Sequence, residues 1–170
     1  MKWYRNEILI GETIREYLKE TIEKELSKGY SISASIGTDS QKCGKDGQYK
    51  FVTVILLNTF QDLGGGVVVG RGGIVMHTIH YNKFRLRNKE LVNERMVYEV
   101  GRSVDVAYDI ADLLDDFDIK LEIHADINPN PIHESNKALQ TAIGWILGMG
   151  YNFKVKPEAM ASSYCADHLI

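Results

Sequence analysis

The sequence predicts an α/β fold: a mixed five-stranded sheet, three antiparallel strands and then parallel ones, flanked by helices and preceded by an extra N-terminal helix. Three observations carry that reading. Two β-rich runs precede residue 60 with glycine turn chemistry between them. A third run follows a glycine-rich interruption. From about Lys89 onward, helical periodicity alternates with short strands. No repeat, low-complexity tract or proline-rich linker divides the chain, so residues 1–170 are expected to form one domain, and 44% hydrophobic content is enough for its core.

The first helix is written by Ile14, Tyr17, Leu18, Ile22 and Leu26, which recur at helical spacing between Gly11 and Lys28, with Gly29 as the stop. Tyr30 to Thr38, rich in Ile, Ser and Ala, reads as a strand ending at Asp39. Gly37 and Gly44-Lys45-Asp46-Gly47 supply turn chemistry before the run from Tyr49 to Phe60, and the two strands are expected to pair as an antiparallel hairpin. Gly64-Gly65-Gly66 interrupts. Val67 to Val69 and Gly73 to His80 then read as a further strand or strands, split by Gly70, Gly72 and Gly73. Between Lys89 and Asp116, Met96, Val100, Val104, Ala107, Ala111 and Leu114 fall along one helix face. Ile119 to Ala125 is a strand closed by Asp126, and Ser135 to Leu147 is a helix stopped by Gly148 and Gly150. Tyr151 to Lys156 is the last strand, after which Pro157 opens a final helix from Glu158 to about Leu169. In a sheet so ordered the later strands run parallel to the first.

Composition narrows the function. A net charge of −3 and a pI near 6.0 give no general pull on a polyanion, so any nucleic-acid contact must come from a local basic patch. The opening Met1-Lys2-Trp3-Tyr4-Arg5-Asn6-Glu7 lacks the apolar core of a signal peptide, and no apolar run approaches the roughly 18 residues of a membrane span. The expectation is a cytoplasmic protein without membrane association. Cys43 and Cys165 have neither CxxC spacing nor a secreted context and are expected to be free thiols. There is no GxxxxGK[ST] loop, GxSxG elbow or HExxH pair.

What remains is a set of acids. In an open α/β sheet, sites form beyond the carboxyl ends of parallel strands, where Asp39 and Asp126 are both expected. An acidic residue there also serves simply to cap a turn. If the two strands are neighbours, however, carboxylates so close need a cation to stay ionised together. On the helix from Lys89, Glu99 lies about 70° from the mean apolar direction, on the flank of the buried face, with Ser103 one turn on, whereas Glu94 points nearly away. Glu99 is therefore the third carboxylate of choice, with Glu90 and Glu94 as alternatives if the helix starts elsewhere. In the last helix, Asp167 stands among small residues that permit close packing on a sheet. It completes the cluster, with His168 as an alternative ligand or proton shuttle.

Gly37-Thr38-Asp39-Ser40-Gln41, Asp126-Ile127-Asn128, Ser135-Asn136-Lys137 and the stretch from Lys154-Val155-Lys156-Pro157-Glu158-Ala159 through Ala166-Asp167-His168 resemble the YkuK family of ribonuclease H-like proteins. The similarity runs from about Gly11 onward, and the strand and helix order is that of the ribonuclease H-like fold. The resemblance implies an aspartate on the first strand, a glutamate on the first core helix, an aspartate after the fourth strand and an acidic residue or histidine on the last helix. Asp39, Glu99, Asp126 and Asp167 match those places, the glutamate least securely because Leu63 to Glu94 is glycine-rich.

Two divalent cations, Mg²⁺ or Mn²⁺, held roughly 4 Å apart by such carboxylates would activate a water and stabilise the leaving 3′ oxygen of a phosphodiester. The expected activity is thus metal-dependent hydrolysis of a nucleic acid, whether RNA, DNA, hybrid or junction, with Ser40, Ser135 and Lys137 near the phosphate. Lys83-Phe84-Arg85-Leu86-Arg87-Asn88-Lys89 interleaves an aromatic with cations, so that Arg85 and Arg87 either track a backbone or sit in a solvated connection. The alternative is a catalytically inactive ribonuclease H-like module that binds nucleic acid or protein, which the acidic pI favours a little. His77, His80, His124 and His133 raise a further option, a histidine metal site in which His124 faces the same side of its strand as Asp126. Oligomeric state is open.

Overall fold

The computed structural model describes residues 1–44, 46–84, 89–128, 130 and 136–170, with side chains at all of these except 89, 90, 136–139 and 141. Arg85, Arg87, His133 and Ser135, and the side chains of Glu90 and Lys137, lie outside the described residues.

Two short strands, β1 (Trp3–Arg5) and β2 (Ile8–Leu9), lead to helix α1 (Ile14–Leu26). Thr13 caps that helix by accepting from the Glu16 N–H, while the Glu16 carboxylate accepts from the Thr13 N–H, a reciprocal pair that fixes the first turn. Strands β3 (Ser31–Lys42), β4 (Gln48–Asp62) and β5 (Val68–Lys83) form an antiparallel meander. Helix α2 (Lys89–Asp115), β6 (Leu121–Ala125), α3 (Asn136–Gly148) and β7 (Asn152–Val155) follow, then a π-helix (Ala161–Ala166) continued by the short α4 (Asp167–Leu169).

The described strands make one seven-stranded mixed sheet in the order β2-β1-β5-β4-β3-β6-β7. The five expected strands form its contiguous block, with β6 parallel to β3 and β7 parallel to β6. The two remaining strands come from the N-terminal residues, where the sequence pattern announced no element. They are too short to display a period, yet β1 pairs with β5 and buries Trp3 to 5% exposure.

Three expectations are corrected. The third strand is not split by its glycines: β5 runs unbroken, and the register steps from Gly70 opposite Phe60 to Gly72 opposite Thr59, leaving Arg71 as the extra residue of a bulge. Strand β3 continues to Lys42, so Asp39 lies within it. Pro157 does not open the last helix; its peptide with Lys156 is cis, it lies in the turn after β7, and helical structure proper starts at Ala161.

The sheet is covered unequally. On one face Ala34, Ile36, Ile55, Leu57 and Ile123 pack with Leu18 and Ile22 of α1, Val100, Ala107 and Ile110 of α2, and Ala142 and Ile146 of α3. On the other, Val52, Val54 and Leu56 meet Ala161 and Ala166 of the last helical segment. Strand β4 is apolar on both sides because it is buried on both. Among the described residues no helix is long and apolar enough to cross a membrane, and both cysteines are free.

Candidate active site

The parallel ladder ends on one rung: Thr38 of β3 is opposite Ala125 of β6, which is opposite Val155 of β7. The next residue on each strand is Asp39, Asp126 and Lys156. Register alone thus lays two carboxylates and an ammonium side by side. Lys156 Nζ sits 2.8 Å from Asp126 Oδ1, and Ser163 Oγ donates to the same oxygen at 2.5 Å. Asp39 accepts from the Ser40 N–H at 2.7 Å.

Gly37, two residues before Asp39, decides how the last helical segment arrives. A Cβ there would stand 2.4 Å from Ser162 N and 2.7 Å from the Ala161 carbonyl carbon, so the segment lies directly on strand backbone. Its small residues Ala161 and Ser162 are wholly buried as a result. That contact holds Ser163 over Asp126 and puts Asp167, exposed one turn on, within electrostatic reach of Asp39.

Helix α2 approaches the opposite face and is joined to β3 by two hydroxyl contacts. Thr38 Oγ1 lies 2.8 Å from Ser103 Oγ, and Ser40 Oγ donates to Glu99 Oε1 at 2.5 Å. The spacings match: two residues of strand advance about 6.7 Å and four of helix about 6 Å, so a helix antiparallel to the strand meets it twice. Arg95 completes the arrangement, its Nη1 donating to Ser40 O at 2.7 Å and standing 3.2 Å from Glu99 Oε1.

Residues 13–170 match the family model described as Ribonuclease H-like, nearly the whole chain apart from β1 and β2. The chain belongs to the ribonuclease H-like YkuK family. No curated protein matches it.

In this ribonuclease H-like sheet the four acids named from sequence fall on both sides of one sheet end: Asp39, Asp126 and Asp167 on the face of the last helical segment, Glu99 on that of α2. They feel one another. Burial pushes the Asp39 carboxyl up to about 6, with Asp126 and Asp167 adding to the rise and the Ser40 N–H and Arg95 opposing it. Burial lifts Glu99 to about 8, helped by Asp39 and Asp126 and opposed by Arg95 and Ser40. Glu94, the alternative, is exposed on the outer side of α2. His168 is exposed beside Asp167. Ser40 bonds to Glu99 and Arg95, so as placed its hydroxyl serves the protein's own network.

The four acids offer only oxygen donors, and oxygen donors suit Mg²⁺ or Mn²⁺. Among the described residues no three His, Cys, Asp or Glu side chains already stand as a closed ligand group. The histidine alternative fails for His124. It does share a strand face with Asp126, but its Nδ1 accepts from the Ala161 N–H at 3.1 Å and its Nε2 lies 3.4 Å from Glu122. His77 stacks on Tyr4 and His80 on Tyr98. Arg95, Lys156, Ser163 and Gly37 were not singled out from sequence as parts of the site. Lys156 had a signal, since it follows its strand as Asp126 follows β6.

Proposed function

We propose that this ribonuclease H-like chain is a divalent-metal-dependent nuclease whose ligand set is Asp39, Asp126, Asp167 and Glu99. The observation that supports it is the end of the parallel ladder, where Asp39 and Asp126 are successive on neighbouring strands and Asp39 is largely desolvated beside two further acids. Burying a carboxylate next to like charge is unfavourable unless a cation joins it, and among the described residues Asp39 makes no direct ion pair of its own. A divalent cation bound there supplies Lewis-acid activation of a water and neutralises charge on a phosphodiester. Asp39 has lone pairs to offer beyond its one backbone bond. Arg95 and Ser40 orient Glu99, and Lys156 carries the ammonium nearest the row, placed to hold a phosphate oxygen once Asp126 turns to another partner.

The test is cleavage of end-labelled RNA, DNA, hybrid and junction substrates with Mg²⁺ or Mn²⁺. Wild type is expected to cut at least one, and Asp39→Asn to lose at least about two orders of magnitude of rate. A second reading, an inactive module that binds nucleic acid, has its own support: Glu99 and Asp126 already have protein partners. Binding without cleavage on every substrate would select it.

A further inference from the structure

We infer that a groove on the outer side of α2 seats one unstacked nucleobase of a single-stranded substrate, an inference that rests on the nucleic-acid reading above. The groove has a volume of about 520 Å³, and Phe84, Val97, Tyr98 and Trp145 wall it together with Asn93 and Arg102. That size falls in the range of sites that enclose small aromatic ligands, roughly 300–1,000 Å³.

The walls suit a flat ring. Trp145 is carried in by α3 and lies on α2 at Gly101, where an added Cβ would be 3.3 Å from the indole Cζ3. The indole is 49% exposed, an aromatic surface left half uncovered. Phe84 meets Tyr98 edge to face at 5.7 Å, so the opposite wall is aromatic and braced. Bases stack on such surfaces whatever their identity, since every base has a π face.

The polar atoms say which flat ring. Asn93 Oδ1 and Arg102 Nε are buried and have no hydrogen-bond partner among the described residues. An acceptor and a donor left unmet are unfavourable. Once the two side chains turn these buried atoms into the groove, a nucleobase edge, carrying donors beside acceptors, satisfies both, whereas a purely hydrocarbon ligand satisfies neither. Glu94 and Asp105 also line the groove, and their charge disfavours a phosphate inside it. Arg102 Nη1 is turned to Asp105 at 3.5 Å, so its charge is largely answered. The base enters and the backbone stays outside.

The groove also adjoins the acids. Tyr98 is the neighbour of Glu99 on α2, and Phe84 packs 5.8 Å from Tyr49, over whose ring Arg95 lies at 5.7 Å on its way to Glu99. A chain of side-chain contacts thus joins the groove to Glu99.

The experiment titrates short single-stranded RNA and DNA, and the same strands with abasic positions, into metal-free protein. Indole fluorescence is followed in a Trp3→Phe background, so that Trp145 alone reports. Binding is expected to change that fluorescence and, read in parallel by the anisotropy of end-labelled strands, to weaken on removal of bases and to fall roughly five- to hundredfold in Trp145→Ala. Asn93→Leu should weaken it less, and Asp39→Asn should leave it intact. Trp145 is half exposed and Asn93 Oδ1 has no hydrogen-bond partner among the described residues, so both variants are expected to fold, which thermal melts verify. Equal affinity of wild type and Trp145→Ala, or no fluorescence change at saturation, overturns the groove. Cleavage that depends on Asp39 but is indifferent to Trp145 leaves the nuclease reading standing without the groove, and base-dependent quenching without cleavage does the reverse.

Discussion

Asp39 is asked to be a charge in a place where charge is unwelcome, and its titration follows. A carboxyl raised from 3.8 to about 6 binds more protons folded than unfolded between those values, so the metal-free protein loses stability as pH rises across them. The loss is on the order of 3 kcal/mol, complete above about pH 6. Asp39→Asn is therefore expected to raise the melting temperature of metal-free protein at neutral pH, by an amount that shrinks toward pH 4. Mg²⁺ or Mn²⁺ should raise the melting temperature of wild type and not of the variant; equal shifts would remove Asp39 from the ligand set. Arg95 acts in the opposite sense on Glu99. Removing one partner of a buried pair leaves the other ionised and alone at a cost of about 3–5 kcal/mol, less where the carboxyl protonates instead. Glu99 titrates near 8 with Arg95 present and higher without it, so urea denaturation of Arg95→Ala should show a loss that is small at neutral pH and grows as pH rises through about 8. A loss independent of pH would assign the role of Arg95 to its bond with Ser40 O.

Elements set the distances between these residues, and two glycines separate the effects of space and propensity. Gly37→Ala puts a methyl into the backbone of the last helical segment and should destabilise by about 1–3 kcal/mol while weakening metal binding, because Ser163 and Asp167 ride on that segment. Gly144→Ala, inside α3 with nothing within 4 Å among the described residues, should instead stabilise by about 0.5–1 kcal/mol through helix propensity alone. Thermal melts of the two variants give opposite signs if close approach is what matters at Gly37. The same contrast explains what could be read in advance. A long amphipathic helix repeats its pattern often enough to be bounded, and α2 was expected from Lys89 to Asp116 and ends at Asp115. The direction of Glu99 followed from that period. Arg95 and Lys156 carry no such pattern, since their partners exist only once helix and strand are in register. The seat of the last segment depends likewise on contact with Gly37, a residue far away in sequence.

At the scale of the molecule, three helices crowd one face of the sheet and the last helical segment takes the other, so the acids converge only around the sheet's end. The N-terminal strands lie outside the family-matched span yet share the core through Trp3. Trp3→Ala should therefore cost about 3–5 kcal/mol in denaturant unfolding, as a core residue does; a cost below about 1 kcal/mol would mark β1 as an appendage. The same two strands end the sheet. Strand β2 contributes only two paired residues, Leu9 opposite Tyr4 and Ile8 opposite Arg5, while the sixteen-residue β5 lies two strands inward. The long hairpin edge that would otherwise offer a ready template is thus partly occupied by β1, and β1 in turn by a strand too short to template much. Beyond His77 and Thr78, which β1 covers, the outer edge of β5 has no strand beside it among the described residues, so a foreign chain extending the sheet on that side would pair along β5 rather than along β2.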